Sequence, residues 1–365
     1  MMVTLATSQN SPLRACKLWD LSGHIGGLIF SLAVLLLLPG TVAASGLDAA
    51  LQALEIKDFA QADQLLQKSA RQGDADAQYR LGLLLTSGAW SPDRKEEGVG
   101  WFLASAKQGH VSAQLEMANR YAVGDGVPRD DMEAAKWYRR AAAKGNPLAE
   151  LIFANWLSAG RGVPKDAAEA VFWYRRSAEQ EMPSAQYRLA QIYLKGIGVP
   201  PNPEQAIGWM ERAAANGLID ANQDLGELFL SGQSVQRNPG RAYHYFSVAA
   251  QQGMIRSRFM VGWMNRLGLG TPPNCSLAMD NLTNAALAGL VEAQYQLGEL
   301  YASVECGNGN LIEAYAWWQV AADSGHRVSR VKQSDRRERM TNDMLRQAEA
   351  RKKAILQQIA TNHLK

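Results

Sequence analysis

Seven glycines stand at one phase of a 36-residue period: Gly73, Gly109, Gly145, Gly217, Gly253, Gly289 and Gly325, with Glu181 in the remaining place. A period of that length confines the fold to a stack of like units, because a unit so short cannot bury its apolar face without a neighbour. Three residues before each mark stands alanine, from Ala70 to Ala322. Eight before it come Leu65, Trp101, Trp137, Trp173, Trp209, Tyr245, Asn281 and Trp317, and eleven before it small residues such as Ala62, Ala134 and Ala314. These offsets share one helical face, so each unit holds a helix whose stripe alternates small and large side chains. The glycine ends that helix, since it takes a positive φ without Cβ strain. Glu181, followed by Met182-Pro183, is expected to close its helix differently, with local irregularity.

A second helix follows each mark. Ala77, Ala113, Ala149, Ala185, Ala221 and Ala293 lie four residues on, and Leu81, Met117, Phe153, Leu189, Leu225, Val261 and Leu297 eight on. Each of the latter precedes a small residue (Gly82, Ala118, Ala154, Ala190, Gly226, Gly262, Gly298) that lets a partner helix approach. Leu85, Tyr121, Leu157, Tyr193, Phe229 and Tyr301 supply a knob on the same face. Loops such as Gly160-Arg161-Gly162-Val163-Pro164 come next, and three tandem copies of G-x-G read as loop architecture, not as a phosphate fingerprint, which needs a preceding strand. Asp130, Asp166, Asn202, Asn238, Asn274 and Asn310 then begin the next helix in phase, as residues that can accept from orphan N–H groups.

The pattern A-x-A-Q-Y-x-L-G…Y-x-x-G-x-G-V-x-x-D…A-x-x-W-Y-x-x-A-A-x-x-G, carried with small departures by Ala113 to Gly145 and by Ala185 to Gly217, resembles the Sel-one-like repeat, a relative of the tetratricopeptide repeat. The resemblance covers residues 46–325, as a hairpin at Leu47 to Gln72 and seven repeats. It implies an all-α, right-handed α-solenoid of helix-turn-helix repeats and a role in protein binding and complex assembly. Some secreted relatives carry a cysteine pair in each repeat, and this chain does not.

Residues 1–45 read as a targeting segment. Arg14 and Lys17 flank an apolar run from Leu28 to Leu38, Pro39-Gly40 breaks it, and Val42 and Ala44 offer a small-x-small cleavage site. The alternative is an uncleaved anchor over residues 25–44. Either places the chain outside the cytoplasm, in the periplasm, secreted, or held at the membrane.

The net charge of +3 hides an asymmetry: residues 326–365 hold eleven Lys or Arg against four acids, whereas the repeats are acidic. This basic C-terminal segment includes an expected helix from Thr341 to Ala360 whose stripe, Met344, Leu345, Ala348, Ile355, Leu356 and Ile359, suits it to capping the last repeat. The other reading is contact with anionic lipid, polysaccharide or an acidic partner. Cys275 and Cys306 fall in inter-helix loops of adjacent repeats, which stacking brings near each other. A disulfide and two separate thiols both stay open, because a five-residue phase difference works against the pairing.

Three cysteines and five histidines, scattered along the chain, speak against a metal centre, and no cofactor motif is present. His110 and His326 directly follow marks and suit helix junctions; no nucleophile elbow or HExxH appears, so an enzyme is not expected. Ten residues after the marks stand Asn119, Asn155, Gln191, Glu227, Trp263 and Glu299, a polar ladder for the concave face, with Trp263 as its anchor. Arg256, Arg258 and Arg266 could receive a carboxylate, with Asp220 as a competing partner for Arg256. These readings converge on a non-enzymatic scaffold or adaptor that binds protein partners of the cell envelope on its concave face, without nucleic acid. The alternative is an envelope-assembly or secreted host-interaction factor acting through its basic tail on membrane or polysaccharide.

Overall fold

The computed structural model describes residues 46–363 apart from 89, 91 and 308, so the predicted targeting segment lies outside the described residues. Helices α1 (Gly46–Glu55) and α2 (Phe59–Arg71) form the first hairpin. Then α3 (Ala75–Thr86) and α4 (Lys95–Lys107), α5 (Val111–Val123) and α6 (Asp131–Ala143), α7 (Pro147–Ala159) and α8 (Ala167–Glu179), and α9 (Pro183–Lys195) and α10 (Pro203–Ala215) follow as pairs. The pairs continue with α11 (Ile219–Ser231) and α12 (Pro239–Gln251), and with α13 (Ile255–Leu267) and α14 (Cys275–Leu287). A short α16 (Val304–Gly307) interrupts the loop between α15 (Val291–Ala302) and α17 (Leu311–Asp323), and α18 (Arg327–Arg337) and α19 (Asn342–His363) close the chain. From α1 to α15 each helix packs on the next, and α17 takes up the series from α15. The result is an α-solenoid with no strand among the described residues, and none of their helices is long and apolar enough to cross a membrane.

Local chemistry sets the ends of these helices. The side chains of Asp130, Asp166, Asn202, Asn238, Asn274 and Asn310 each accept from a backbone N–H in the first turn of the helix they precede. At the other end, the seven mark glycines have φ from 83° to 95°. Glu181 corrects an expectation. It adopts φ 61° and its N–H bonds to the Ala178 carbonyl, so this helix closes as the others do. The αL conformation strains a side chain with a Cβ. Here Glu181 is held by Asn216, Arg212 and Gln186, which bond its carboxylate and keep its pKa at about 2. That contribution is present at neutral pH and is lost as pH falls towards that value.

Pairs are closest where a ring lies on a small residue. A Cβ added to Gly82, Gly226 or Gly298 would stand 2.6 Å from the ring of Phe102, Phe246 or Trp318, each twenty residues further on. Ala118 and Ala154 hold this register where the ring is Tyr138 or Tyr174. The rings and the repeated alanines form buried clusters that follow one another along the stack.

The series stops at α18 for a chemical reason. Where earlier first helices carry a large apolar residue, a small one and a knob, α18 has Gln333, Ser334 and Arg337. With no apolar face there to receive a second helix, α19 packs on α17 and reaches α14, burying Ala348 and Ile355. Met344 and Leu345 pack beside Tyr315, Ile359 lies against the last repeat's core, and Leu356 is exposed.

Candidate interaction surface

The polar ladder lies on the first helices and is engaged within the array. Asn119 and Asn155 are exposed, and their Oδ1 atoms accept from Tyr138 and Tyr174 hydroxyls at 2.6 and 2.7 Å. Their amide nitrogens have no protein partner among the described residues and remain available as donors. The Gln191 side-chain oxygen accepts from Arg188 at 3.2 Å. Glu227 pairs with Arg256 at 3.2 Å, which assigns Arg256 to Glu227 and not to Asp220. Glu299 pairs with Lys332 at 3.2 Å, and Arg266 donates to Gln296 at 2.6 Å, each reaching into the next repeat. Arg258 turns inward, to the Ala250 carbonyl at 3.2 Å. Trp263 is half-buried and packs against the core of its repeat. Between Gln191 and Glu227, the Tyr187 hydroxyl donates to Asp224 at 2.6 Å, and burial pushes both pKa values up.

A second polar series, five residues after each mark, escaped the sequence reading although it keeps the period. Gln78, Gln114, Gln186 and Gln294 are buried and donate to the carbonyls of Ala70, Ala106, Ala178 and Ala286 at 3.0 to 3.2 Å. Their neighbours one repeat on reach back: Gln108 donates to Gln78 at 2.7 Å, and Asn216 to Gln186 at 3.0 Å. The donor bonds partly satisfy amides that would otherwise be costly to bury, and at Gln78 and Gln186 a bond from the next repeat ties neighbouring units together.

Glu150 breaks the chemistry of that series. It is fully buried, paired with Arg176 at 3.0 Å and receiving Gln180 at 2.7 Å, and burial pushes its pKa up against both. A carboxyl with a raised folded-state pKa contributes its full stability only below its unfolded pKa, and loses it as pH rises through the folded one. Glu150→Gln restores the neutral amide of the other copies. Its melting temperature is expected to rise, with a larger gain at about pH 7 than at about pH 4. Equal gains in thermal melts at the two pH values would remove this assignment.

The remaining predicted positions are structural in their contacts. His110 and His326 cap α5 and α18, their Nδ1 atoms accepting from Ala113 and Ser329 N–H at 3.2 Å, and Nε2 lies 3.4 and 3.3 Å from Asp76 and Glu292. Cys275 is the first residue of α14, not a loop residue, and Cys306 sits in α16. The two are joined by a disulfide with Cα atoms 5.1 Å apart, because the extra turn of α16 carries Cys306 across the phase difference. Among the described residues no three His, Cys, Asp or Glu side chains gather to hold a metal ion. In the basic segment Lys332, Arg346, Arg351 and Lys352 are ion-paired, whereas Arg327, Arg330, Arg336, Arg337 and Arg339 have no ion pair among the described residues.

Comparison with known proteins finds the Sel1 repeat at residues 55–74, 75–110, 111–146, 152–182, 183–218, 219–254, 255–290 and 291–326. A search of curated proteins found no match. Among solved structures, the chain is similar to a protective antigen present in uropathogenic Escherichia coli strains and displaying an SLR fold, with 25% identity over 82% of this chain and a TM-score of 0.68. The chain spans 64% of the length of that antigen. It is also similar to a Sel1 repeat protein from Oxalobacter formigenes, with 29% identity over 82% of this chain and 86% of the other, and a TM-score of 0.61.

Proposed function

Because this chain belongs to the Sel1 repeat family, whose members are in general protein-interaction scaffolds, we propose that it is a non-enzymatic scaffold or adaptor of the cell envelope that holds a partner protein along the first helices. The observation that carries this reading is the ladder. Asn119, Asn155, Gln191, Glu227, Trp263 and Glu299 recur at one register, and most are held in place by a neighbour in their own or the next repeat. Side chains ordered before binding lose less entropy on association, and the free amides of Asn119 and Asn155 suit backbone carbonyls of an extended segment. The envelope location draws on residues 1–45, read as a signal peptide or anchor, and on the Cys275–Cys306 bond, which suits an oxidising compartment.

The test is photo-cross-linking from Asn155 and Glu227, with exposed Arg139 on a second helix as the comparison site. One partner band is expected from both ladder positions and none from Arg139, and Trp263→Ala with Glu227→Ala should weaken capture at least about tenfold. Cross-links from Arg139 alone would overturn the assignment.

The unpaired arginines of α18 and the turn after it favour a second reading, in which this end contacts an anionic surface. The test replaces Arg327, Arg336, Arg337 and Arg339, none ion-paired to α19 among the described residues, by glutamine. If that reading holds, binding to anionic vesicles should fall with these changes and with rising salt.

A further inference from the structure

Polar pairs thirty residues apart bridge the second helices of three pairs of consecutive repeats, and between α8 and α10 there is none among the described residues. Arg139 meets Glu169 at 3.7 Å, Arg241 pairs with Glu211, and Gln319 donates to the Glu349 carboxylate at 3.1 Å. At the corresponding place between α8 and α10, Arg175 faces Gln205, the acid is gone, and a cavity of about 470 Å³ opens instead. Arg175, Tyr193, Gln205, Gly208, Trp209 and Arg212 line it together with the acidic Glu179, which makes no ion pair with Arg175 among the described residues. Arg175 is exposed, makes no ion pair among the described residues, and donates from Nη2 to the Tyr193 hydroxyl at 2.5 Å, so its guanidinium is oriented but not neutralised. Arg212 is occupied by Glu181 and lies 4.5 Å above the Trp209 ring, which makes it part of the wall.

Gly208 has no packing role to explain it. It lies in the middle of α10 without a positive φ, and a Cβ there would meet nothing within 4 Å. A glycine in a helix interior costs about 1 kcal/mol relative to alanine. One repeat earlier the same register is Phe172, whose side chain at Gly208 would occupy the cavity. Gly100 shares the register in α4, but there the counterpart of Arg175 is the neutral Gln67.

The geometry points to a binding site for a carboxylate carried next to an apolar group: the carboxylate takes the place of the absent acid on Arg175, and the apolar group lies in the space over Gly208 against Trp209. A guanidinium held by Tyr193 can take such a group in two parallel N–H···O bonds. The site lies on the second helices, apart from the ladder, so its failure leaves the proposed scaffold reading standing.

The experiment is ligand-detected NMR on the full chain with two probes, N-acetyl-phenylalanine and N-acetyl-phenylalanyl-glutamine amide's acidic counterpart, N-acetyl-phenylalanyl-glutamate amide. The first offers a terminal carboxylate and the second only a side-chain one, so the arms distinguish a chain terminus from an acidic side chain. Saturable binding of at least one is expected. Arg175→Gln and Gly208→Leu should each weaken it about tenfold, and Arg139→Gln should leave it unchanged. Thermal melts establish that the variants are folded, and Gly208→Ala, which removes the helix penalty and leaves most of the cavity, should melt higher and still bind. Absence of binding by both probes, or equal binding by Arg175→Gln, would overturn the site.

Discussion

Gly162→Ala is expected to destabilise the protein by about 3 kcal/mol or more, far beyond what one methyl group usually does. Gly162 has φ 66°, and a Cβ on it would overlap the Asp131 carbonyl at the start of α6, one repeat earlier. Backbone cannot rotate out of the way as a side chain can. The neighbouring Arg161 fixes the loop further, bonding both Asp131 carboxylate oxygens at 3.1 and 2.9 Å and the Ala122 carbonyl at 3.0 Å. The comparison is Gly145→Ala, where φ is also positive but only the tip of Arg176 comes within 4 Å. That change bears the αL penalty alone, about 1–2 kcal/mol. Urea unfolding of the two variants separates the effects, and equal losses would show that the loop is not wedged against α6.

Trp318→Ala is expected to cost about 3–5 kcal/mol, the range for emptying a buried aromatic site. Trp318 is 1% exposed and its ring lies on Gly298, which has no side chain to move into the vacated space. Because each repeat touches only its neighbours, the loss should be felt locally. Hydrogen exchange is the measurement: amides from α15 to α19 should exchange faster, while those from α5 to α9 keep their protection. Uniform loss of protection along the chain would mean that the array unfolds as one unit and that the quasi-one-dimensional picture fails.

Much of this architecture was legible because it rests on contacts within one or two turns of helix. The Asp and Asn caps bond to an N–H two or three residues away, and glycine φ values follow from the residue itself. The second polar series, by contrast, was visible as Gln78, Gln114, Glu150, Gln186 and Gln294 at one phase but not interpretable. A glutamine on a helix reads as a solvated residue until the neighbouring helix is in place. Glu181 misled for a related reason: an acidic residue in a glycine position looks like an interruption, and the partners that hold it lie 31 and 35 residues on, in the next repeat.

By itself the sequence determined the helix pairs, their 36-residue repeat, their starts and stops, and the membership of the stack, all consequences of local hydrogen bonding and one apolar stripe. The tertiary structure alone decided which polar side chains bridge repeats, which glycine is wedged against a neighbour, and where α19 goes once α18 offers it no apolar face. Those outcomes depend on the separation of helices thirty or more residues apart. That separation is set by how rings seat on small residues across the stack, a distance that no periodicity along one chain encodes.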